Sequence, residues 1–145
     1  MNEKLARQVE EMKKQTIGVE VEMNSIARDR AARIAAKFFG TGRYENTAAR
    51  NGYSTWSAWD ADGREWKFQK DVSIAGPDSE KCEMVTPILT YADMETLQEL
   101  IRQLRHAGAR ATREGAAGYT STSVRKAIRR RRSATLLTSW QATKA

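Results

Sequence analysis

The sequence predicts an α+β domain in which helices pack on one face of a partial, largely antiparallel sheet. Three observations carry this prediction. Apolar residues alternate with polar ones over residues 17–23, apolar residues recur at helical spacing over 94–104, and an Asp-Ala-Asp-Gly turn at 60–63 separates two aromatic segments. Read along the chain, they give the order strand, helix, hairpin, strand, helix.

The chain opens with a predicted helix and then changes its period. In residues 1–15, three apolar residues lie near helical spacing between charges, which favours a short amphipathic helix. Residues 16–24 alternate with a period of two and predict a strand with one buried face. Glu20 and Glu22 then project side by side from its other face. The buried side would carry Ile17, Val19, Val21 and Met23.

Residues 25–39 predict the second helix. Ser25 is the expected cap at its start, and glycines at 40 and 42 are expected to end it. An apolar stripe would face the sheet, formed by Ile26, Ala31, Ile34, Ala35 and Phe38.

The middle of the chain predicts a hairpin and one further strand. The hairpin joins 53–63 to 65–74 through its Asp-Ala-Asp-Gly turn. Residues 76–81 predict a loop, and 82–89 predict a strand with Pro87 near its end, where a ladder donor is no longer needed.

The last regular element before the tail is the strongest predicted helix, at residues 90–109. Thr90 and Asp93 offer caps at its start, and Gly108 ends it. His106, the only histidine, falls near its carboxyl end, where a cationic cap is the usual role rather than a catalytic base. Its buried stripe would consist of Met94, Leu97, Ile101 and Leu104.

Charge is distributed unevenly along the chain. Residues 1–109 carry 16 Lys and Arg against 17 Asp and Glu, a net charge of −1, whereas residues 110–145 carry 9 against 1, a net charge of +8. Any polyanion partner must therefore be argued from the tail alone. No apolar run reaches the roughly 18 residues of a membrane helix, so the expected location is cytoplasmic. The single cysteine, Cys82, is expected to be a satisfied, partly buried thiol.

Four carboxylates fall on or at the ends of predicted strands: Glu20, Glu22, Asp71 and Glu83. On neighbouring strands these carboxylates would meet on one open sheet face and hold Mg²⁺, which prefers oxygen ligands. The alternative is that they are ordinary solvent-facing acids, since alternating acids are common on exposed strands.

Taken together, the motifs resemble the amidoligase family, the carboxylate–amine ligases with a glutamine-synthetase-like fold. The resemblance rests on "GVEVEMN", "WKFQKDVSI" and "CEMVTPI" in that order, followed by a helix ending in "LRHAGA", over roughly residues 16–109. Members of that family show a Gly-x-Glu-x-Glu strand, an Asp-Gly-Ser turn after a Trp-Lys strand, and a Glu-x-x-Ser/Thr-Pro strand. Here the turn reads Asp71-Val72-Ser73. Valine stands where the family has glycine, so the close backbone approach that glycine allows this loop is an open question.

The resemblance implies ATP-dependent amide formation. A small-molecule or peptide carboxylate would be activated as an acyl phosphate and then joined to an amine, with ATP and Mg²⁺ as cofactors. It implies that Glu20, Glu22 and Glu83 bind the metal, and that Asp71 and Ser73 belong to a catalytic loop that meets the substrate or nucleotide. Lys67 would contact a phosphate, or would be an exposed strand lysine without that role.

A fourth family motif, a Cys-Gly-x-His-x-His strand, is missing. Residues 116–124 read "AAGYTSTSV" at the place where it is expected, yet a shifted reading frame permits Cys-Gly-Ile-His-Ile-His-Val there. The hypothesis is that the chain is a truncated amidoligase, frameshifted from about residue 110–117 onward. Residues 1–15 would then be a helical extension, 16–109 the amino-terminal part of the domain, and 110–145 a disordered or weakly helical tail.

Two other interpretations stay open. The tail taken at face value predicts a small nucleic-acid-binding or membrane-surface protein. Residues 124–137 would form a short basic helix with Val124, Ile128 and Leu136 as its apolar points, and Trp140 would be available to stack on a base. Alternatively, the chain is a folded but inactive remnant, whose sheet of three or four strands would leave an unpaired edge. The ligase interpretation requires Glu20, Glu22 and Glu83 to converge, whereas the binding interpretation requires a basic surface continuous with the body.

Overall fold

The computed structural model of the chain describes residues 2–111 and 128–131. Its helices are α1 (Glu3–Lys13), α2 (Arg28–Phe39), α3 (Ala48–Asn51) and α4 (Met94–His106). Its strands are β1 (Gly18–Asn24), β2 (Tyr44–Asn46), β3 (Trp56–Trp59), β4 (Glu65–Gln69), β5 (Cys82–Val85), β6 (Arg110–Ala111) and β7 (Ile128–Arg131). Short 3-10 helices span Asp78–Glu80 and Tyr91–Asp93.

The strands form one antiparallel sheet, which confirms the α+β prediction. The strand order is β2-β3-β4-β5-β1-β6, and β7 also pairs with β1. β1 is flanked by β5 on one side, while β6 and β7 pair with its two halves: β6 faces residues 23–24, and β7 faces residues 18–21. The expected sheet of three or four strands was therefore wrong, because short strands that carry little sequence pattern extend it in both directions.

The hydrophobic core lies between one face of the sheet and two helices. α2 contributes a row of alanines that lets the helix approach the strands closely, and α4 contributes its leucine stripe. From the sheet come Val19, Val21 and Met23, as the two-residue alternation predicts, together with Trp66, Phe68 and Met84. One face of the sheet is thus occupied by helices, which leaves the opposite face for the polar residues of the same strands.

The start of α2 differs from the sequence prediction. Ser25 has a positive φ of 62° and its hydroxyl donates to the side chain of Asn24, so it does not cap the helix. The helix begins three residues later, at Arg28, with Ala27 as the flanking residue. The predicted end is correct, because Gly40 adopts the left-handed conformation that terminates α2.

The start of α4 confirms the predicted caps. Asp93 accepts from the backbone and hydroxyl of Thr90, which forms a capping box ahead of the helix. In the described ranges, 2–111 and 128–131, no helix is long and apolar enough to cross a membrane. The predicted tail lies outside the described residues at 112–127 and 132–145, while the two short pieces that are described, β6 and β7, are strands. The helix expected over 124–137 is therefore wrong at 128–131, because these residues pair with β1.

Candidate active site

The predicted carboxylates meet on the sheet face opposite α2 and α4. Glu22 of β1 lies directly across from Glu83 of β5, and Glu83 lies across from Gln69 of β4. One step along the strands, Glu20 lies across from Val85. Residues paired across an antiparallel ladder project to the same face with their Cβ atoms about 5 Å apart. The sheet register therefore places Glu20, Glu22 and Glu83 on the same face of the sheet.

Glu83 is the most perturbed acid of this face. It is only 8% exposed, and burial raises its pKa to about 7. That value also includes the hydrogen bond to Asp71 and the negative charges of Glu20, Asp71 and Glu22, which raise the pKa in the same direction as burial. Crowded carboxylates of this kind repel one another unless a proton or a cation is shared among them. The arrangement thus favours either a protonated Glu83 or a bound cation.

Asp71 joins the cluster from the turn that follows β4. Its Oδ1 atom accepts from the backbone N–H of Ser73 at 2.9 Å and from the Ser73 hydroxyl at 2.7 Å. These bonds close a compact turn in which the side chain of Val72 is 76% exposed. Val72 is not among the described residues with positive φ, so the turn does not need the glycine found in the family motif. Asp71 and Ser73 thus stand beside the acidic face.

Thr86 and Pro87 set the position of β1 against β5. The Thr86 hydroxyl accepts from the Val19 N–H at 2.9 Å, and the Thr86 N–H donates to the Val19 carbonyl at 3.0 Å. Beyond them the ladder resumes between Ile17 and Leu89 with one extra residue on the β5 side. The Thr-Pro pair therefore fixes the register that places Glu20 and Glu22 opposite β5. Sequence reasoning noted Pro87 at the end of the strand but missed this role of Thr86.

Arg28 organises the loops at the end of the sheet where Asp71 lies. Its guanidinium donates to three backbone carbonyls, those of Ser54 at 3.2 Å, Asp78 at 2.9 Å and Lys81 at 2.6 Å. On the other side of the loop, the Asn24 side chain donates to the Ala75 carbonyl at 3.0 Å. These contacts join segments more than 25 residues apart, so no local pattern could have revealed them.

Lys67 shares the acidic face. It lies across from Val85 of β5 and Ser57 of β3, in the same row as Glu20, and is half-buried. Its place is compatible with a phosphate contact, and that role stays a prediction. Further along β4, Glu65 is partly covered by α3. Burial raises the pKa of Glu65, but hydrogen bonds from Ser57, Asn51 and Arg50 outweigh this and hold it below its ordinary value.

The donor chemistry of the face fits a hard divalent cation. Its three glutamates offer the oxygen ligands that Mg²⁺ requires, and a bound cation would relieve the repulsion that raises the pKa of Glu83. Within residues 2–111 and 128–131, however, no group of three or more His, Cys, Asp or Glu side chains has the geometry of a formed metal site. The glutamates share a face without converging on one point, so their role as metal ligands stays a prediction.

Two further predicted residues lie away from this face. Cys82 is fully buried in the core, more deeply than the partly buried thiol that the sequence predicted. Burial raises the pKa of its thiol to about 12, which is typical of an unreactive cysteine. His106 is the last residue of α4 and is exposed. Neither residue belongs to the acidic face.

These observations define an α+β protein with a carboxylate-rich sheet face bordered by an Asp-x-Ser turn. Residues 13–121 match the family described as "Putative amidoligase enzyme". Because the match spans most of the sequence, the chain belongs to this amidoligase family, as the sequence motifs indicated. No curated protein and no solved structure matches the chain.

Proposed function

We propose that the chain is built for ATP-dependent amide formation, in which a carboxylate is activated as an acyl phosphate and then captured by an amine. The observation that carries this proposal is the placement of Glu20, Glu22 and Glu83 on one sheet face, in a chain of the amidoligase family. A glutamine-synthetase-like arrangement of the sheet belongs to the same proposal.

Within this proposal, Glu20, Glu22 and Glu83 hold Mg²⁺. When bound, Mg²⁺ neutralises phosphate charge during phosphoryl transfer. Asp71 keeps Glu83 oriented through their hydrogen bond, and the Asp71–Ser73 turn borders the place for the substrate. Lys67 stands in the row of Glu20, where its ammonium group would meet a phosphate oxygen. The carboxylate and amine substrates are small molecules or peptides.

Calorimetric titration with Mg·ATP tests the metal assignment. We expect the wild-type chain to bind and Glu20→Gln/Glu22→Gln to lose most of the affinity, because the double change removes two anionic ligands. Glu95→Gln, an exposed acid in the first turn of α4 on the other side of the sheet, is the matched control. Equal affinity in the wild-type and double-variant proteins would overturn the assignment of these glutamates.

Catalytic competence is a separate question from binding. We propose that this chain is a truncated and inactive copy of an amidoligase, because the Cys-Gly-x-His-x-His motif is missing from the sequence. Resequencing the gene from codon 105 through the stop tests the frameshift hypothesis. A single-base difference that restores the motif supports it, and a confirmed frame without downstream coding overturns it. Phosphate release from Mg·ATP with a mixture of carboxylates and amines then measures the activity of the given chain and of the frame-restored chain.

One observation favours the alternative of a nucleic-acid-binding protein. β7, which contains three consecutive arginines, pairs with β1, so this basic segment is continuous with the sheet. Binding of a labelled oligonucleotide that survives physiological salt would favour this alternative. Loss of binding at such salt concentrations would leave only nonspecific charge attraction.

A further inference from the structure

Two lysines, one just after β4 and one just before β5, form ion pairs with the same exposed carboxylate. The Nζ atom of Lys70 lies 2.8 Å from Oδ2 of Asp78, and the Nζ atom of Lys81 lies 3.1 Å from Oδ1 of the same side chain. The Lys81 side chain is only 14% exposed and that of Lys70 is 26% exposed, whereas that of Asp78 is 68% exposed. The two ammonium groups, called the lysine pair below, are thus held by the fold, while the anion between them faces solvent.

The segment that carries Asp78 and Lys81 also contacts an arginine. Arg28 bonds to the backbone carbonyls of Asp78 and Lys81, so a third cation stands beside the same short segment. An exposed ion pair contributes little to stability, so a more highly charged anion can displace Asp78 at little cost.

The position of the lysine pair relates it to the acidic face. Lys70 directly precedes Asp71, whose side chain bonds to Glu83, and Lys81 lies two residues before Glu83. Lys81 Nζ also lies 3.4 Å from the carbonyl of Val72, inside the Asp71–Ser73 turn. A phosphate chain held by the lysine pair would therefore begin at the same end of the sheet as the carboxylates.

A second, independent observation is the conformation of the neighbouring turn. Tyr53 and Ser54 both have φ of 51°, a left-handed conformation that is unfavourable for non-glycine residues. Two hydrogen bonds hold the turn there, from the Lys70 N–H to the Tyr53 carbonyl at 2.8 Å and from Arg28 to the Ser54 carbonyl. The strained turn presents the ring of Tyr53 to solvent with 72% exposure. A planar group next to the lysine pair could stack on this ring.

We propose that Lys70 and Lys81 bind a phosphate group of a nucleotide, that Asp78 is a built-in counterion which the phosphate displaces, and that Tyr53 stacks on the base. The lysine pair shares no residue with the proposed metal ligands. Only the choice of a nucleotide as the ligand rests on the proposed function. Asp78 then limits affinity rather than supporting it, which is the opposite of what an ordinary structural ion pair predicts.

Binding of pyrophosphate to the full chain in EDTA isolates the lysine pair from metal chemistry. Lys70→Gln and Lys81→Gln should each weaken binding about tenfold, because each removes a charge-assisted hydrogen bond. Asp78→Asn should tighten binding about fivefold, because a competing carboxylate is gone. Lys37→Gln, at an exposed position of α2, and Asp62→Asn, in the hairpin turn, control for net charge and should change nothing.

Three outcomes would overturn the lysine pair as a site: no pyrophosphate binding by wild type, equal loss of affinity in Lys37→Gln and the two lysine variants, or weaker binding by Asp78→Asn. Thermal unfolding of each variant checks that the fold is retained. If the lysine variants unfold, the direction of the Asp78→Asn effect still decides the question. Retained pyrophosphate binding with abolished Mg·ATP binding in Glu20→Gln/Glu22→Gln separates this inference from the proposed metal site.

ADP titrated under the same conditions distinguishes a nucleotide from a free phosphate. We expect ADP to bind more tightly than pyrophosphate, and Tyr53→Asn to remove only this difference, because asparagine tolerates the left-handed backbone but offers no ring for stacking. Equal affinities for ADP and pyrophosphate, unchanged in Tyr53→Asn, would overturn the nucleotide assignment and the role of Tyr53.

Discussion

At the scale of single residues, Glu83 is where stability and candidate chemistry oppose each other. The side chain is nearly buried, bonds to Asp71 and faces two other glutamates. Its pKa rises from 4.5 to about 7, so the folded chain binds its proton more tightly than the unfolded chain does. The stability that protonated Glu83 contributes is therefore complete below about pH 4.5. It decreases as the pH rises toward 7 and the buried carboxyl ionises.

Glu83→Gln should remove this decrease in stability. We expect the wild-type free energy of unfolding to fall by on the order of 1–3 kcal/mol between pH 5 and pH 8, and that of Glu83→Gln to fall much less. Urea denaturation at the two pH values measures both. Added Mg²⁺ should restore wild-type stability at pH 8 and leave the variant unchanged.

Glu95→Gln again serves as the control, since Glu95 is exposed on α4 and should leave the wild-type pH dependence intact. Parallel pH profiles for wild type and Glu83→Gln would contradict the raised pKa. Stabilisation by Mg²⁺ that is equal in both proteins would place cation binding elsewhere.

At the scale of elements, the β3–β4 hairpin is tied to the start of α4 by one arginine. Arg64 donates through Nη1 and Nη2 to the two carboxylate oxygens of Asp93, each at 3.0 Å, and through Nε to Asp60. Asp60 also accepts from the indole N–H of the fully buried Trp66. The bidentate guanidinium contact thus joins the hairpin to the helix cap, and Asp60 joins it to the core. Lysine could not reproduce this planar contact.

This tie should loosen in acid. Arg64 hydrogen-bonds to Asp93 and holds the pKa of that carboxyl at about 2, below its ordinary 3.8. The stability that it contributes is complete above pH 4 and disappears as the pH falls through 2. Asp93→Asn should cost on the order of 2 kcal/mol at pH 6 and much less at pH 2, as measured by urea denaturation at both pH values.

Asp62→Asn is the control, because Asp62 is 80% exposed and its carboxylate lies 3.6 Å from Arg64, farther than that of Asp93. A cost of Asp93→Asn that is the same at both pH values would show that capping of Thr90, and not the ion pair, is the main contribution of this carboxylate.

The sequence predicted elements where periodicity is strong and contacts are local. Alternation predicted β1 and its acidic face, and helical spacing with a capping box predicted α4. β2 and β6 were missed because three or two residues carry no period. Ser25 was misjudged because its positive φ places it in a bend before the helix, which starts at Arg28. The Asp71–Glu83 contact and the Arg28 bonds depend on tertiary packing, so the geometry of the candidate site could not be predicted.

At the scale of the whole molecule, an almost neutral body is joined to a strongly basic carboxyl-terminal segment, with net charges of −1 and +8. The segment returns to the body at β7, where Arg129 lies opposite Glu20 in the ladder. Polyanion contacts of this chain are therefore expected to begin next to the acidic face, on the other side of β1 from β5.

Charge alone should govern polyanion binding. We expect labelled single-stranded oligonucleotides of unrelated sequence to bind equally, with affinity that falls steeply as salt rises. Replacing the four arginines at 129–132 with glutamine should flatten that salt dependence, by a slope of about 0.7 for each phosphate that the chain no longer neutralises. Fluorescence anisotropy at several salt concentrations measures both effects. A preference for one sequence, or a slope that the replacement leaves unchanged, would contradict this expectation.

The pairing of β1 also has a consequence for the order in which the chain folds. β1 is made early, yet its neighbours are residues 82–85 on one side and residues 110–111 and 128–131 on the other. Such distant pairing gives a high contact order and slow folding. During synthesis, the strand that carries Glu20 and Glu22 has no sheet neighbour until β5 has left the ribosome, and its other side waits for the last part of the chain. Assembly of the acidic face is thus one of the last steps of folding.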